Sequence, residues 1–120
     1  MQAVKPYDVT QDKRGFIRLE FLSGTEITED VAKGLVEELA LVGGNAYQLL
    51  VVTAGLKDMN AVARGALAEI AIPPETMAVV VGSLVDQIIA KTFLSQSRTW
   101  TSRALIFTDE DAAIEWLLGQ

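Results

Sequence analysis

The sequence predicts an α/β domain with a mixed, mostly parallel sheet, an N-terminal antiparallel hairpin and four helices. Two observations predict this class: strand patterns alternate with helical patterns, and two of the strands are almost wholly apolar. Alternation favours parallel strands joined by right-handed crossovers, and apolar strands are typical of a sheet covered on both faces. The chain has 120 residues and no internal repeat or linker. We therefore expect residues 1–120 to form a single domain.

The chain begins with a predicted β-hairpin. Ile17, Leu19 and Phe21 alternate with charged residues, which predicts a strand with one buried face and one exposed face. A turn cluster at residues 12–15 precedes this strand. The segment from Tyr7 to Gln11 is therefore predicted to be its antiparallel partner.

A first helix is predicted to follow the hairpin. Thr28 is placed to cap it, because Glu29 and Asp30 come next and carboxylates stabilise the positive end of the helix dipole. Gly43 and Gly44 are predicted to end it, since glycine adopts the left-handed conformation at little cost.

Two apolar segments predict central strands of the sheet. Tyr47 to Val52 and Met77 to Val81 are nearly continuous apolar runs, as expected where both sheet faces are covered. Between them, Asn60 is predicted to cap a helix that runs to about Ile70 and ends before two prolines. This arrangement predicts a strand, helix, strand crossover.

The last third of the chain predicts two further helices around a short strand. Ser83 and Asp86 have the spacing of a capping box at the start of the third helix. A strand is predicted from Arg103 to Phe107, and Thr108 with Asp111 is predicted to form a second capping box before the last helix. The predicted order is β-β-α-β-α-β-α-β-α.

Composition excludes several kinds of chemistry. The chain has no histidine and no cysteine, so it has no Ser-His-Asp or Cys-His machinery and no imidazole or thiolate ligand for a metal. We predict no catalytic residue, no metal site and no cofactor. The net charge of −6 repels a phosphate backbone, so we expect no nucleic-acid partner. With no apolar run near the ~20 residues of a membrane span, and no secretory signal pattern, we expect a cytoplasmic protein.

Three stretches of the sequence resemble a known family. They are residues 47–52 leading into Gly55, residues 78–83 before an apolar helix, and residues 106–117, where a Phe-Thr-Asp turn precedes a helix with a Trp-Leu pair. This pattern resembles the small bacterial STAS-like domains, which have the fold of anti-sigma-factor antagonists and are related in architecture to CRAL-TRIO lipid-binding domains. The resemblance implies a fold more than an activity.

The resemblance also implies a regulatory site that this chain lacks. STAS antagonists carry a phosphorylatable serine at the start of the helix that follows a central strand. The matching stretch here, residues 60–63, reads Asn-Ala-Val-Ala and offers no hydroxyl group. We therefore expect no phosphoswitch of that type.

The predicted topology brings polar residues to the carboxyl edge of the sheet. Ligands of open parallel sheets settle at this edge, near the free amides of helix N-termini. We expect a polar pocket there for a small anion or an acidic group of a partner, although the fold needs the same residues as helix caps. Ser83 itself lacks the second glycine and the base of a nucleophile elbow. The candidate residues are Thr53, Gly55, Lys57, Asn60, Gly82, Ser83 and Thr108.

The third helix has a broad apolar stripe that predicts a second candidate site. The stripe exceeds what one sheet face covers, so Ile88, Ile89, Phe93 and Trp100 are predicted to form an interface, the alternative being that all four lie in the core. The leading functional hypothesis is a non-enzymatic interaction or regulatory module that forms a homodimer or binds a protein partner. The alternative is a small-molecule or lipid-binding domain that uses the strand-end crevice; an enzyme is a third hypothesis.

Overall fold

The computed structural model describes residues 5–44, 46–53, 55–70, 72–96 and 103–120. Strands and helices follow one another through these residues in the predicted alternating order, with two short strands added. The elements are β1 (Tyr7–Gln11), β2 (Ile17–Phe21), β3 (Glu26–Ile27), α1 (Glu29–Gly43), β4 (Gln48–Val52), β5 (Asp58–Met59), α2 (Ala61–Ala68), β6 (Thr76–Val80), α3 (Leu84–Gln96), β7 (Ala104–Phe107) and α4 (Glu110–Leu118).

The main sheet has the strand order β1-β2-β4-β6-β7. β1 and β2 pair antiparallel, which confirms the predicted hairpin, and the other three pairings are parallel. In the hairpin turn, the Asp12 carboxylate accepts hydrogen bonds from the Arg14 backbone N–H and guanidinium, at 2.9 Å each. The bonds from Arg14 lower the pKa of Asp12 to about 2, because they stabilise its ionised form.

A second, two-stranded sheet was not predicted. β3 and β5 pair in parallel, with Glu26 opposite Asp58 and Ile27 opposite Met59. Strands of two residues are too short to show a period-two pattern in the sequence. Their pairing places the loop after β2 against the loop after β4, beside the carboxyl edge of the main sheet.

Side-chain caps begin three of the helices at the predicted residues. Thr28 caps α1, Asn60 caps α2, and Ser83 Oγ accepts a hydrogen bond from Asp86 N at 3.2 Å at the start of α3. The predicted Thr108 capping box is wrong: Asp109 caps α4, accepting from Ala112 N at 3.1 Å. The helix starts one residue later than predicted, so the carboxylate of Asp109 faces the free amide instead of the Thr108 hydroxyl.

Helices cover both faces of the sheet. The larger core lies between one face and α1, α2 and α3, and the smaller core lies between the other face and α4. Leu49 and Val51 of β4 point into the larger core, whereas Leu50 and Val52 point into the smaller one. This alternation explains why the central strands read as continuous apolar runs. Among the described helices, none is long and apolar enough to cross a membrane.

Candidate functional site

The seven residues of the predicted anion site are distributed along the carboxyl edge of the sheet. Most of their polar groups already bond to other groups of the chain. Thr53 Oγ1 donates to the Val80 carbonyl at 2.9 Å, and Asn60 Oδ1 accepts from Ala63 N at 2.8 Å. Lys57 Nζ lies 3.3 Å from a Glu26 carboxylate oxygen. Thr108 is exposed, one residue before the cap of α4.

A carboxylate of the chain itself occupies the N-terminus of α3, where the anion was expected. Asp86 is buried, and its Oδ2 accepts a hydrogen bond from Gly82 N at 3.2 Å. The Ser83 hydroxyl accepts from Asp86 N, so both predicted edge residues serve the start of the helix. Asp86 takes the place of an external anion at this helix end. The sequence showed Asp86 as a capping residue, but the burial of its carboxylate carries no sequence signal.

Gly55 holds the edge loops together through its backbone. Its φ of +99° lies in the region that favours glycine, and its carbonyl accepts a hydrogen bond from Gly24 N at 2.6 Å. A Cβ atom at this position would lie 2.6 Å from the Cα atom of Ser23. Glycine is therefore required here for the close approach of two backbones, which is a structural role.

The structure separates the residues of the predicted interface. Ile88 lies on the outer face of α3, with 56% of its surface exposed. Phe93 is 8% exposed and lies in the larger core, and Ile89 is partly buried against that core. In the single chain, Ile89 and Phe93 thus pack inward instead of forming a surface. Trp100 lies outside the described residues.

The outer face of α3 is apolar beyond the predicted residues. Leu84 is 71% exposed, and Val85 and Ile88 are each more than half exposed. The charged residues of α3 are Asp86, which is buried, and Lys91, which is exposed. We name the three side chains Leu84, Val85 and Ile88 the α3 patch. Ile88 was among the predicted interface residues, and the packing shows that Leu84 and Val85 are also exposed on α3.

An apolar void that is partly open to solvent lies between α3 and the sheet. Its volume is about 60 Å³, and its wall is apolar throughout. Val51 and Val79 line it from the sheet, and Ala90, Phe93 and Leu94 line it from α3. Thr53 borders the void, but its hydroxyl donates to Val80. An occupant of this space would therefore be a purely apolar group.

Adding one methylene group to the wall of the void is expected to stabilise the protein. Val79→Ile should raise the free energy of unfolding by about 0.8 kcal/mol, the value of one buried methylene. The matched control is Val80→Ile, on the same strand but facing α4. We expect that change to cost about 1–3 kcal/mol, because the extra group has to displace packed neighbours. Urea denaturation of both variants checks the prediction, and a loss for Val79→Ile equal to that for Val80→Ile would contradict it.

The clearest cluster of charges is structural. Arg18 of β2 donates to both carboxylate oxygens of Glu110 at 3.1 Å and to Glu20 at 3.0 Å. The hydrogen bonds to Glu110 raise the pKa of Arg18 above its ordinary value. This bidentate pair fixes the first turn of α4 against β2. Among the described residues, no group of acidic side chains could hold a metal ion.

The strand order and the helices on both sheet faces define an α/β domain with a SpoIIAA-like fold. The structure is similar to the crystal structure of an uncharacterized protein of the DUF3478 family from Shewanella loihica PV-4, which has this fold. The TM-score is 0.60 and the sequence identity is 10%, over 92% of this chain and 91% of that one. The likeness confirms the predicted fold class and the resemblance in fold stated from the sequence.

Residues 11–119 match the model of a family described as a domain of unknown function, DUF7793. The chain therefore belongs to that family. A comparison with curated proteins finds no match.

Proposed function

We propose that this protein is a non-catalytic interaction module that pairs with a second copy of itself through the α3 patch. The observation that carries the proposal is the exposure of Leu84, Val85 and Ile88 on one helix. Water-exposed apolar side chains that lie together on a helix gain free energy when a partner covers them. A homodimer with twofold symmetry would place the same patch on both sides of the interface.

Charge supports a second copy as the occupant. The protein carries a net charge of −6, so most of its surface repels another copy. The outer face of α3 differs, because the carboxylate of Asp86 is buried and Lys91 is the exposed charge of the helix. Two α3 helices can therefore face each other without carboxylates in contact, and the remaining repulsion is screened beyond about 8 Å at physiological salt.

The oligomeric state tests this proposal. Analytical ultracentrifugation of the wild type should give twice the chain mass of 13.0 kDa. Ile88→Asp should weaken the dimer by about a hundredfold or more, because two unpaired carboxylates would be buried in the interface. The matched control is Leu41→Asp, since Leu41 is 86% exposed on α1. A wild type that stays monomeric at high concentration, or equal effects of the two substitutions, would refute the proposal.

A second candidate function is the binding of a small apolar compound or lipid chain beneath α3. The apolar wall of the void favours it. The site differs from the strand-end crevice expected from the sequence, because the polar groups of that edge bond within the chain. Native mass spectrometry of the purified protein should show a retained apolar compound. Val79→Ile should reduce retention and Val80→Ile should not; equal retention by both variants would exclude the void as the site.

A further inference from the structure

Three polar side chains lie in a row at the amino ends of neighbouring parallel strands. Gln48 begins β4 and is in register with Thr76, the first residue of β6. Arg103 directly precedes β7, and its carbonyl accepts a hydrogen bond from Met77 N at 2.9 Å. Strand alternation puts Gln48, Thr76 and Arg103 on the sheet face that carries α4. All three border a surface cleft of about 320 Å³ at the edge opposite to the predicted site.

The hydroxyl group in the middle of this row has no partner. Thr76 is 3% exposed, and its Oγ1 is buried without a hydrogen bond. Buried hydroxyl groups in folded proteins are nearly always bonded, so this one marks a place where a partner from outside the chain fits. Thr76 borders the cleft, so its hydroxyl lies close to this space. The position is an exception in an otherwise apolar strand.

Opposite charges border the same cleft. One guanidinium N–H of Arg103 donates to Gln120 Oε1 at 2.7 Å. Other N–H groups of this guanidinium remain to bind a carboxylate. Glu75 also lines the cleft, and in the described part of the chain it forms no ion pair with Arg103. The Gln48 amide donates to the Leu117 carbonyl at 3.0 Å, so its Oε1 remains an acceptor.

We propose that this cleft binds a small zwitterion of the α-amino acid type. The guanidinium of Arg103 and the hydroxyl of Thr76 bind the carboxylate, and Glu75 with Gln48 Oε1 accepts hydrogen bonds from the ammonium group. A simple anion would repel the Glu75 carboxylate and leave it unpaired. A simple cation would repel the Arg103 guanidinium and leave that group unpaired. The two opposite charges and the unbonded hydroxyl on one cleft thus favour one ligand that carries both charges.

Titrations followed by amide NMR test the proposal with three probes at equal ionic strength: L-alanine, acetate and ethylammonium. L-alanine should cause saturable shifts at residues 48, 76 and 103, with at least about tenfold higher affinity than either fragment. Arg103→Gln and Thr76→Val should each weaken L-alanine binding by about tenfold or more. The matched control is Thr10→Val, on the exposed edge strand β1, which should leave binding unchanged.

The thermal midpoint supplies an independent readout. Without ligand, Thr76→Val should raise the midpoint, because it replaces an unbonded buried hydroxyl with a methyl group of similar size. A lowered midpoint would show that the hydroxyl has an internal structural partner and would overturn the proposal. So would the absence of saturable shifts with L-alanine, or acetate binding as tightly as L-alanine. Arg103 is exposed, so Arg103→Gln should change binding with little effect on the midpoint.

Discussion

Gly55→Ala is expected to lower the free energy of unfolding by about 3–5 kcal/mol, the upper end of single-substitution effects. Two costs add at this position. The φ of +99° disfavours any residue with a Cβ atom, and that atom would lie 2.6 Å from Ser23 Cα, which belongs to the backbone and cannot rotate away. Relief requires the loops after β2 and β4 to separate, which breaks the hydrogen bond from Gly24 N to the Gly55 carbonyl.

Urea denaturation measures this loss against a control within the same chain. Gly65 lies in α2, and a Cβ atom there would meet no neighbour within 4 Å. Gly65→Ala should therefore stabilise the protein by about 0.5–1 kcal/mol, the difference in helix propensity. We expect the free energy of unfolding to fall for Gly55→Ala and to rise for Gly65→Ala. A similar small effect of both would mean that the loop at Gly55 relaxes at little cost.

The sequence predicted the long elements of the fold but not the short strands beside Gly55. The strand and helix patterns predicted the sheet and its four helices, because each element is long enough to show a period. β3 and β5 have two residues each and show none, although their pairing brings the two loops together. The cap of α4 was misplaced by one residue, because Thr108 and Asp109 are both good capping residues and only geometry selects between them.

The candidate sites were predictable to a smaller extent. Topology placed Thr53, Gly82 and Ser83 on the carboxyl edge, but not the carboxylate of Asp86 that accepts a hydrogen bond there. Burial of a charged side chain is rare and has no pattern in a single sequence. The row at the amino edge was missed for another reason. Gln48 and Thr76 look like ordinary strand ends until the register places them side by side.

The apolar stripe of α3 is another feature that the sequence could not resolve. A helix with a wide apolar stripe has the same sequence pattern whether its apolar residues are buried or exposed. The substitution Phe93→Ala distinguishes a core residue from a surface residue. We expect it to lower the free energy of unfolding by about 3–5 kcal/mol, as for a core residue. Phe93 is 8% exposed and lines the void of about 60 Å³, so truncation enlarges an existing space beneath α3. The helix has few other buried anchors in its described length, Asp86 and Ala90. The measurement is urea denaturation at concentrations where the chain is monomeric.

The enlarged void should also bind benzene, because apolar cavities of about 150 Å³ stay dry and accept such a ligand. Benzene should raise the urea midpoint of the Phe93→Ala variant more than that of the wild type, because truncation gives the ring more room. Ile88→Ala, on the outer face of the same helix, is the control and should change stability by less than about 0.5 kcal/mol. If Phe93→Ala instead weakened the dimer and left the stability of the monomer intact, Phe93 would belong to the interface, and α3 would have to turn about its axis when two copies pair.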